Sequence, residues 1–257
     1  MVAVARRRGG VVLGLLPNAH ERAEGDPDGG AEIARPAQMT DGAIEGPVLD
    51  PASGNPARQL VVLLHGYGAD GNDLIPLASA WRSVLPDAAF LSPNAPQVCD
   101  EYPIGRQWFP LSLRDPSELA RGVDEAAPGL DGFLDAALAV RGLGNRDLAL
   151  VGFSQGAMMA LAVGLRRDPP IAGIVSFSGV LTTPPPARGA YPPVLLGHGA
   201  EDPLIPAVAM EAARQSLDRA GVAVEAMLRP GLAHGIDESE LNAGARFLAA
   251  NLPDANS

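Results

Sequence analysis

Residues 147–156 read Asp-Leu-Ala-Leu-Val-Gly-Phe-Ser-Gln-Gly, a short apolar run that ends in a Gly-x-Ser-x-Gly pentapeptide. The run over 147–151 is typical of a buried strand, and the residues from Gln155 to Arg167 have the apolar spacing of a helix. The glycines on both sides of the serine carry no Cβ that would collide where strand and helix close on each other. The sequence therefore predicts a tight strand-to-helix turn that presents the hydroxyl of Ser154 above the edge of a sheet.

The chain on either side of this turn alternates between strand-like and helix-like segments. Such alternation is typical of a mostly parallel sheet with helices on both faces, so we predict an α/β fold for residues 39–257. The stretch 93–116 is long for an irregular loop in a compact domain, and such loops are often functional. The other strand-like segments are 60–64, 88–91, 171–177, 194–196 and 222–228, and the helix-like segments are 73–85, 116–142, 155–167, 206–220 and 236–250.

A serine hydroxyl is a weak nucleophile and needs a neighbouring base. The chain has four histidines. His20 lies near the N-terminus, and His65 and His198 each end a strand-like segment. In α/β-hydrolases the catalytic groups follow the chain order serine, acid, histidine, and only His234 comes after every candidate acid. We therefore predict that His234 is the base.

The acid is expected in the loop after the strand that ends near residue 198. Glu201 and Asp202 both lie there, and we predict Asp202, with Glu201 as the alternative. Pro203 stiffens the chain directly after Asp202, which helps to hold its carboxylate still. The acid would orient His234 and stabilise the imidazolium that forms when the histidine takes the Ser154 proton.

A tetrahedral intermediate also needs two N–H donors for its oxyanion. The residue after the nucleophile, Gln155, would supply one from its backbone. The second is expected from the loop after an early strand, and residues 65–68 (His-Gly-Tyr-Gly) suit that position because glycines permit a close backbone approach. We predict the Tyr67 N–H as the second donor and a structural role for His65.

The long irregular stretch and the helix after Ser154 supply apolar candidates for a substrate pocket. Core packing is the alternative role for such residues, above all for a methionine within a helix. The candidates for a wall along an acyl chain are Trp108, Phe109, Ile104, Leu111 and Met158.

Four segments taken together are more specific than any one of them. They are residues 64–70 (Leu-His-Gly-Tyr-Gly-Ala-Asp), 152–156 (Gly-Phe-Ser-Gln-Gly), 198–202 (His-Gly-Ala-Glu-Asp) and 233–236 (Ala-His-Gly-Ile), accompanied by Gln107-Trp108-Phe109. This set closely resembles the phospholipase/carboxylesterase family, which includes acyl-protein thioesterases and bacterial carboxylesterases. The resemblance covers residues 58–250, approximately.

The resemblance implies an α/β-hydrolase without a large cap domain, acting on esters or thioesters with acyl chains as a monomer or a homodimer. It also implies the triad Ser154, Asp202 and His234 and an oxyanion hole at Tyr67 and Gln155. An acyltransferase or a peptidase is the alternative, because an acyl-enzyme can react with acceptors other than water. A non-catalytic binding module is disfavoured, because all three triad residue types are present.

Composition excludes several classes of partner. The 30 acidic and 19 basic residues give a net charge of −11, which repels nucleic acid and anionic membrane surfaces. No apolar run approaches the roughly 20 residues of a membrane span, so we predict no membrane insertion. No metal or nucleotide motif is present, so no cofactor is predicted. The single cysteine, Cys99, cannot form an internal disulfide, which fits a cytoplasmic protein.

Residues 1–38 differ in character from the rest. They carry equal numbers of arginines and acidic residues, so the whole net charge belongs to residues 39–257. Three arginines before the apolar run 10–16 have the order of a signal peptide, but Pro17 ends that run and no Ala-x-Ala site follows. We predict that 1–38 is a disordered tail or an over-extended start, with Met39 as the true start.

Overall fold

The computed structural model describes residues 2–7, 10–15, 44–111 and 116–253. In chain order the strands are β1 (Val2–Arg7), β2 (Gly10–Leu15), β3 (Val48–Leu49), β4 (Gln59–Leu64), β5 (Ala88–Leu91), β6 (Gln97–Val98), β7 (Arg106–Gln107), β8 (Leu148–Phe153), β9 (Gly173–Phe177), β10 (Val194–Gly199), β11 (Val224–Arg229) and β12 (Gly235–Ile236). The α-helices are α1 (Gly71–Trp81), α2 (Pro116–Arg141), α3 (Gln155–Gly164), α4 (Val208–Ala220) and α5 (Glu238–Asn251).

A seven-stranded sheet with the order β11-β10-β9-β8-β4-β5-β3 forms the centre of the molecule. Its neighbouring strands run parallel, except that β3 pairs antiparallel with β5 at one edge. Every residue of β4 and β8 is buried, as expected of parallel strands covered on both faces. This sheet confirms the α/β architecture that was predicted from the alternating segments.

Helices cover both faces of the sheet because side chains alternate along each strand. Leu60, Val62 and Leu64 of β4 pack in one core cluster with residues of α2, α3 and α4. Val61 and Leu63 pack in a second cluster with residues of α1 and α5. Within residues 44–111 and 116–253, no cap domain is inserted between these layers, as predicted.

The helix α2 continues through Pro128, in agreement with the helix-like segment predicted over 116–142. Proline removes one backbone hydrogen bond from a helix interior. The apolar face compensates, because Val123, Ala127, Leu130 and Leu134 are all buried against the sheet. In the described part of the chain, no helix is long and apolar enough to cross a membrane.

Two strands near the N-terminus form a separate three-stranded sheet with β12. β1 and β2 pair antiparallel, and β2 pairs antiparallel with β12, with Leu13 opposite Ile236. Residues 16–43 lie outside the described residues. The prediction that 1–38 is a disordered tail or an over-extended start therefore stays a prediction.

Candidate active site

Ser154 lies between β8 and α3 in a backbone conformation that residues other than glycine rarely adopt. Its φ is 54° and its ψ is −116°. Such strain costs roughly 1–3 kcal/mol and is concentrated at functional sites. The Ser154 N–H donates to the Phe177 carbonyl at the end of β9 over 2.9 Å, which fixes the turn against the neighbouring strand.

Close backbone contacts explain the two glycines that flank Ser154. A Cβ on Gly152 would lie 2.3 Å from the Gly156 carbonyl oxygen. A Cβ on Gly156 would lie 1.9 Å from the Leu64 carbonyl oxygen in β4. Both distances are far shorter than any real van der Waals contact, so a larger residue at either position would push α3 off the sheet.

His234 and Asp202 come together from the loops that follow β11 and β10. The distance from His234 Nδ1 to Asp202 Oδ2 is 2.6 Å, and both side chains are buried. The second carboxylate oxygen, Oδ1, accepts from the N–H groups of Leu204 and Ile205, each over 2.9 Å. A carboxylate oxygen accepts hydrogen bonds, so His234 donates from Nδ1 in this contact, and Nε2 is the ring nitrogen that would act as the predicted base.

The alternative acid, Glu201, makes a different contact. Its exposed carboxylate accepts from the Gly231 N–H over 3.2 Å. Asp202, in contrast, is buried and bonded directly to His234. The geometry therefore favours Asp202 as the partner of the histidine.

A second histidine, His198, lies beside the Asp202 carboxylate at the end of β10. Its Nε2 is 3.4 Å from Asp202 Oδ2 and donates to the Ile205 carbonyl over 2.8 Å. Since the Ile205 N–H also binds Asp202, the histidine and the loop after β10 form one network around the carboxylate. Sequence reasoning missed this contact, for which the only signal was a histidine at the end of the strand that precedes the loop.

The His234 ring also packs against the residue that precedes the serine. The ring centroids of Phe153 and His234 are 4.9 Å apart, with an angle of 46° between the ring planes. The predicted base therefore lies against the same turn that carries Ser154. All of these segments lie at the carboxyl ends of the parallel strands β4, β8, β9 and β10. Open α/β sheets bind their ligands at this end of the strands.

The loop after β4 approaches the serine turn closely. A Cβ on Gly66 would lie 3.4 Å from Ser154 Cβ. The Gly68 N–H donates to the Arg106 carbonyl over 2.9 Å, and the Arg106 N–H donates to the Ala69 carbonyl over 2.8 Å. These bonds fix the loop that contains Tyr67 against the hairpin β6–β7.

The side chain of Gln155 joins the serine turn to the irregular stretch after β5. Its Oε1 accepts from the Trp108 N–H over 2.9 Å, and its Nε2 donates to the Phe109 carbonyl over 2.8 Å. The Trp108 indole donates to the His65 carbonyl over 2.9 Å. Gln155 is also the first residue of α3, where backbone N–H groups have no partner within the helix. The structure therefore holds both predicted oxyanion loops in one buried network.

His65 has a structural position in this network. Its Nε2 accepts from the Ala95 N–H over 2.9 Å, and its Nδ1 donates to the Gly66 carbonyl over 2.8 Å. Burial lowers the pKa of His65 to about 4, so the ring is neutral at physiological pH. A neutral ring with both nitrogens occupied positions the loop and leaves no nitrogen for proton transfer.

The sequence profile of the phospholipase/carboxylesterase family matches residues 51–252. The chain belongs to the phospholipase/carboxylesterase family. Among its relatives, esterase YpfH of Escherichia coli K12 is 30% identical over 200 residues, which cover 77% of this chain and 85% of that protein. Acyl-protein thioesterase 1 of Gibberella zeae is 27% identical over 237 residues, which cover 85% of this chain and all of that protein.

Solved structures agree with this membership of the phospholipase/carboxylesterase family. The crystal structure of esterase PE8 is 44% identical, with a TM-score of 0.78 over 82% of this chain and 100% of that chain. The crystal structure of Arabidopsis thaliana SOBER1 is 28% identical, with a TM-score of 0.67 over 77% of this chain and 100% of that chain. The predicted α/β-hydrolase fold is thereby confirmed.

The candidates for a substrate wall in this phospholipase/carboxylesterase chain fall in two different environments. Trp108, Phe109 and Met158 are at most 4% exposed and belong to the core cluster on the α2 and α3 face. Ile104, in contrast, is 85% exposed. Their contact with a substrate stays a prediction.

A cavity of about 380 Å³ opens beside Tyr67. It lies between the irregular stretch after β5 and the first turns of α2. Its lining residues are Tyr67, Asp100, Glu101, Pro110, Leu111, Glu118, Arg121, Gly122 and Glu125. Of the five candidates for the substrate wall, Leu111 is the one among these residues. We call this space the acidic cavity, because four of its lining residues are carboxylates.

The hydroxyl of Tyr67 bonds to the buried thiol of Cys99. Burial and this hydrogen bond raise the pKa of Tyr67 above its usual range. The phenol of Tyr67 therefore stays protonated. Its contact with Cys99 joins the loop after β4 to the hairpin β6–β7.

Proposed function

We propose that this chain is a serine hydrolase that cleaves carboxylic esters or thioesters through an acyl-enzyme on Ser154. The observation that carries the proposal is the buried hydrogen bond of 2.6 Å between His234 and Asp202 beside a serine with a φ of 54°. Membership of a family whose relatives are named esterases and thioesterases supports it. Together they favour a hydrolase over a binding module.

The first half of the proposed reaction forms the acyl-enzyme. His234 Nε2 takes the proton of the Ser154 hydroxyl while Ser154 Oγ attacks the carbonyl carbon of the substrate. Asp202 stabilises the resulting imidazolium through the Nδ1 hydrogen bond. The carbonyl oxygen becomes an oxyanion, which the backbone N–H groups of Gln155 and Tyr67 stabilise. When the tetrahedral intermediate collapses, the leaving group takes the proton from His234 and departs.

The second half releases the acid. A water molecule gives a proton to His234 Nε2 and attacks the acyl carbon, and the same two N–H groups stabilise the second oxyanion. Collapse of this intermediate returns the proton to Ser154 and frees the carboxylic acid. No group other than protein side chains, backbone and water is required at any step.

Substitution of Ser154 tests the proposal directly. Ser154→Ala should lower kcat for a p-nitrophenyl ester by about 10⁴-fold or more, because the nucleophile is lost while binding is kept. Ser178→Ala is the matched control. Like Ser154, Ser178 has a positive φ, of 50°, and its buried hydroxyl has no hydrogen-bond partner among the described residues. This control should keep the wild-type kcat, and an S154A variant that stays folded with most of its activity would refute the proposal.

The leaving group and acyl chain are open to experiment. A panel of esters graded by chain length, each with its thioester counterpart, would define both. A transferase would be recognised by acyl transfer to an added alcohol in preference to water. A cytoplasmic location and a homodimer stay predictions from the sequence.

A further inference from the structure

Glu240 is a buried carboxyl group that the proposed mechanism does not use. It lies in the first turn of α5 and has no exposed surface. Its Oε2 accepts from the Asp237 N–H over 3.2 Å, while the Glu240 N–H donates to Asp237 Oδ1 over 2.9 Å. Its other oxygen, Oε1, is buried and has no hydrogen-bond partner among the residues that the structure describes. Such an atom costs free energy, so its retention needs an explanation.

The unpartnered oxygen occupies the space that a side chain at position 197 would fill. A Cβ on Gly197 would lie 2.7 Å from Glu240 Oε1 and 2.8 Å from Phe177 Cδ1. Gly197 belongs to β10 and immediately precedes His198, whose ring contacts Asp202. The carboxyl group therefore lies between the helix that follows His234 and the strand that leads to the acid.

Burial, more than the charges around it, favours the protonated form of Glu240. In the described part of the chain, the charged groups that act on it are Asp237 and Arg229, which are paired with each other over 2.8 Å. Gly197 of β10 and Phe177 of β9 bring no charge. Burial raises the pKa of Glu240 to about 8, and the negative charge of Asp237 adds to the rise, whereas the Asp237 N–H and Arg229 oppose it.

We propose that Glu240 is a positioning residue whose buried carboxyl group packs the helix after His234 against the strand before Asp202. This inference rests on the proposed catalytic roles of those two residues. Ionisation would put a negative charge against Gly197 on the side of the unpartnered Oε1, and burying such a charge is far more costly than burying the neutral acid. The first turn of α5 would then move, and β12, which has two residues, links that turn directly to His234.

The pH profile of the intact enzyme tests this role. Glu240→Gln mimics the neutral acid and keeps an acceptor for the capping box. Glu238→Gln is the matched control, because Glu238 lies in the same helical turn but is exposed. Wild type and E238Q should lose kcat by about fivefold between pH 8 and pH 9, as one ionisation with a pKa near 8 requires. E240Q should show no such loss, with KM within about twofold of wild type, since substrate binding is not involved.

A second variant separates positioning from simple packing. Glu240→Ala removes both the acceptor of the capping box and the carboxyl group beside Gly197. We expect kcat at pH 7 to be about tenfold lower, with little change in KM, because small misplacements of catalytic groups slow the reaction. Rescue of kcat by glutamine but not by alanine supports the inference, and E240Q alone carries the test if the alanine variant does not fold. An E240Q profile that falls with pH as steeply as that of wild type would overturn the inference.

The two proposals fail in different ways. If wild type reacts with a fluorophosphonate at Ser154 and hydrolyses esters, but E240Q keeps the wild-type pH profile, the role of Glu240 is wrong and the proposed function stands. If Ser154 does not react and S154A keeps its activity, the proposed function is wrong, whatever Glu240 does.

Discussion

Replacing Glu240 with glutamine should make the stability of the protein less dependent on pH. The pKa of Glu240 is about 8 in the folded chain, against 4.5 for an ordinary glutamate. Because the folded pKa lies above the unfolded value, the protonated Glu240 contributes its full share to the free energy of unfolding below pH 4.5. This contribution is lost as pH rises toward 8. Glutamine does not titrate, so it does not lose this contribution.

The size of the effect follows from linkage. Two pKa values of 4.5 and about 8 predict that E240Q gains about 2.5 kcal/mol in free energy of unfolding relative to wild type between pH 5 and pH 7. The gain should flatten above pH 8, where both states of wild type are ionised. Any constant cost of burying the glutamine amide cancels, because the prediction concerns only the change with pH.

Urea unfolding at pH 5, 6, 7, 8 and 9 would measure this difference. The control E238Q should follow wild type closely, because an exposed glutamate has no comparable burial. A stability difference between E240Q and wild type that stays constant across this range would refute the reasoning. It would show that the carboxyl group is ionised in the folded protein despite its burial.

Three further predictions concern the site and its turn. Asp202→Asn should lower kcat by about 10⁴-fold, because Asp202 is bonded to His234. The matched variant Glu201→Gln should change kcat by less than about twofold, because Glu201 bonds to the Gly231 N–H instead. Steady-state kinetics would measure both, and comparable losses in the two variants would contradict the assignment. Gly156→Ala should lower the free energy of unfolding by roughly 3 kcal/mol or more, because the new Cβ would lie 1.9 Å from the Leu64 carbonyl oxygen. Chemical denaturation would measure this loss, and an unfolding midpoint equal to that of wild type would contradict the steric argument. Esters with a negatively charged leaving group should have a lower kcat/KM than neutral esters, because the chain has a net charge of −11 and its acidic cavity carries four carboxylates. Salt screens this repulsion, so the difference in kcat/KM should narrow at high salt. A difference that does not respond to salt would exclude this electrostatic cause.

The serine turn was predictable because its requirements are local. Gly152 and Gly156 are needed by contacts within the strand-turn-helix unit and with β4, and a pentapeptide can encode them. His234 could be selected by chain order alone. The choice of Asp202 over Glu201 was weaker, because it depends on backbone donors in the following loop that only the folded chain brings to the carboxylate.

Other features depend on distant contacts and leave little trace in the sequence. The side chain of Gln155 bonds to Trp108 and Phe109, which are far away along the chain, and no local pattern indicates that pairing. The helix α2 was predicted over 116–142, but that it stays unbroken at Pro128 depends on burial of its apolar face, which outweighs the local cost of proline. Glu240 looks like an ordinary capping residue until its second oxygen is seen against Gly197.

The central claim is that Ser154 is the nucleophile, and active-site labelling tests it most directly. The native protein would be treated with a fluorophosphonate, digested and mapped by mass spectrometry. We predict a single adduct on Ser154, formed in step with the loss of esterase activity and absent from S154A. Loss of activity without an adduct on Ser154, or an adduct on another residue that accounts for the loss, would contradict the account.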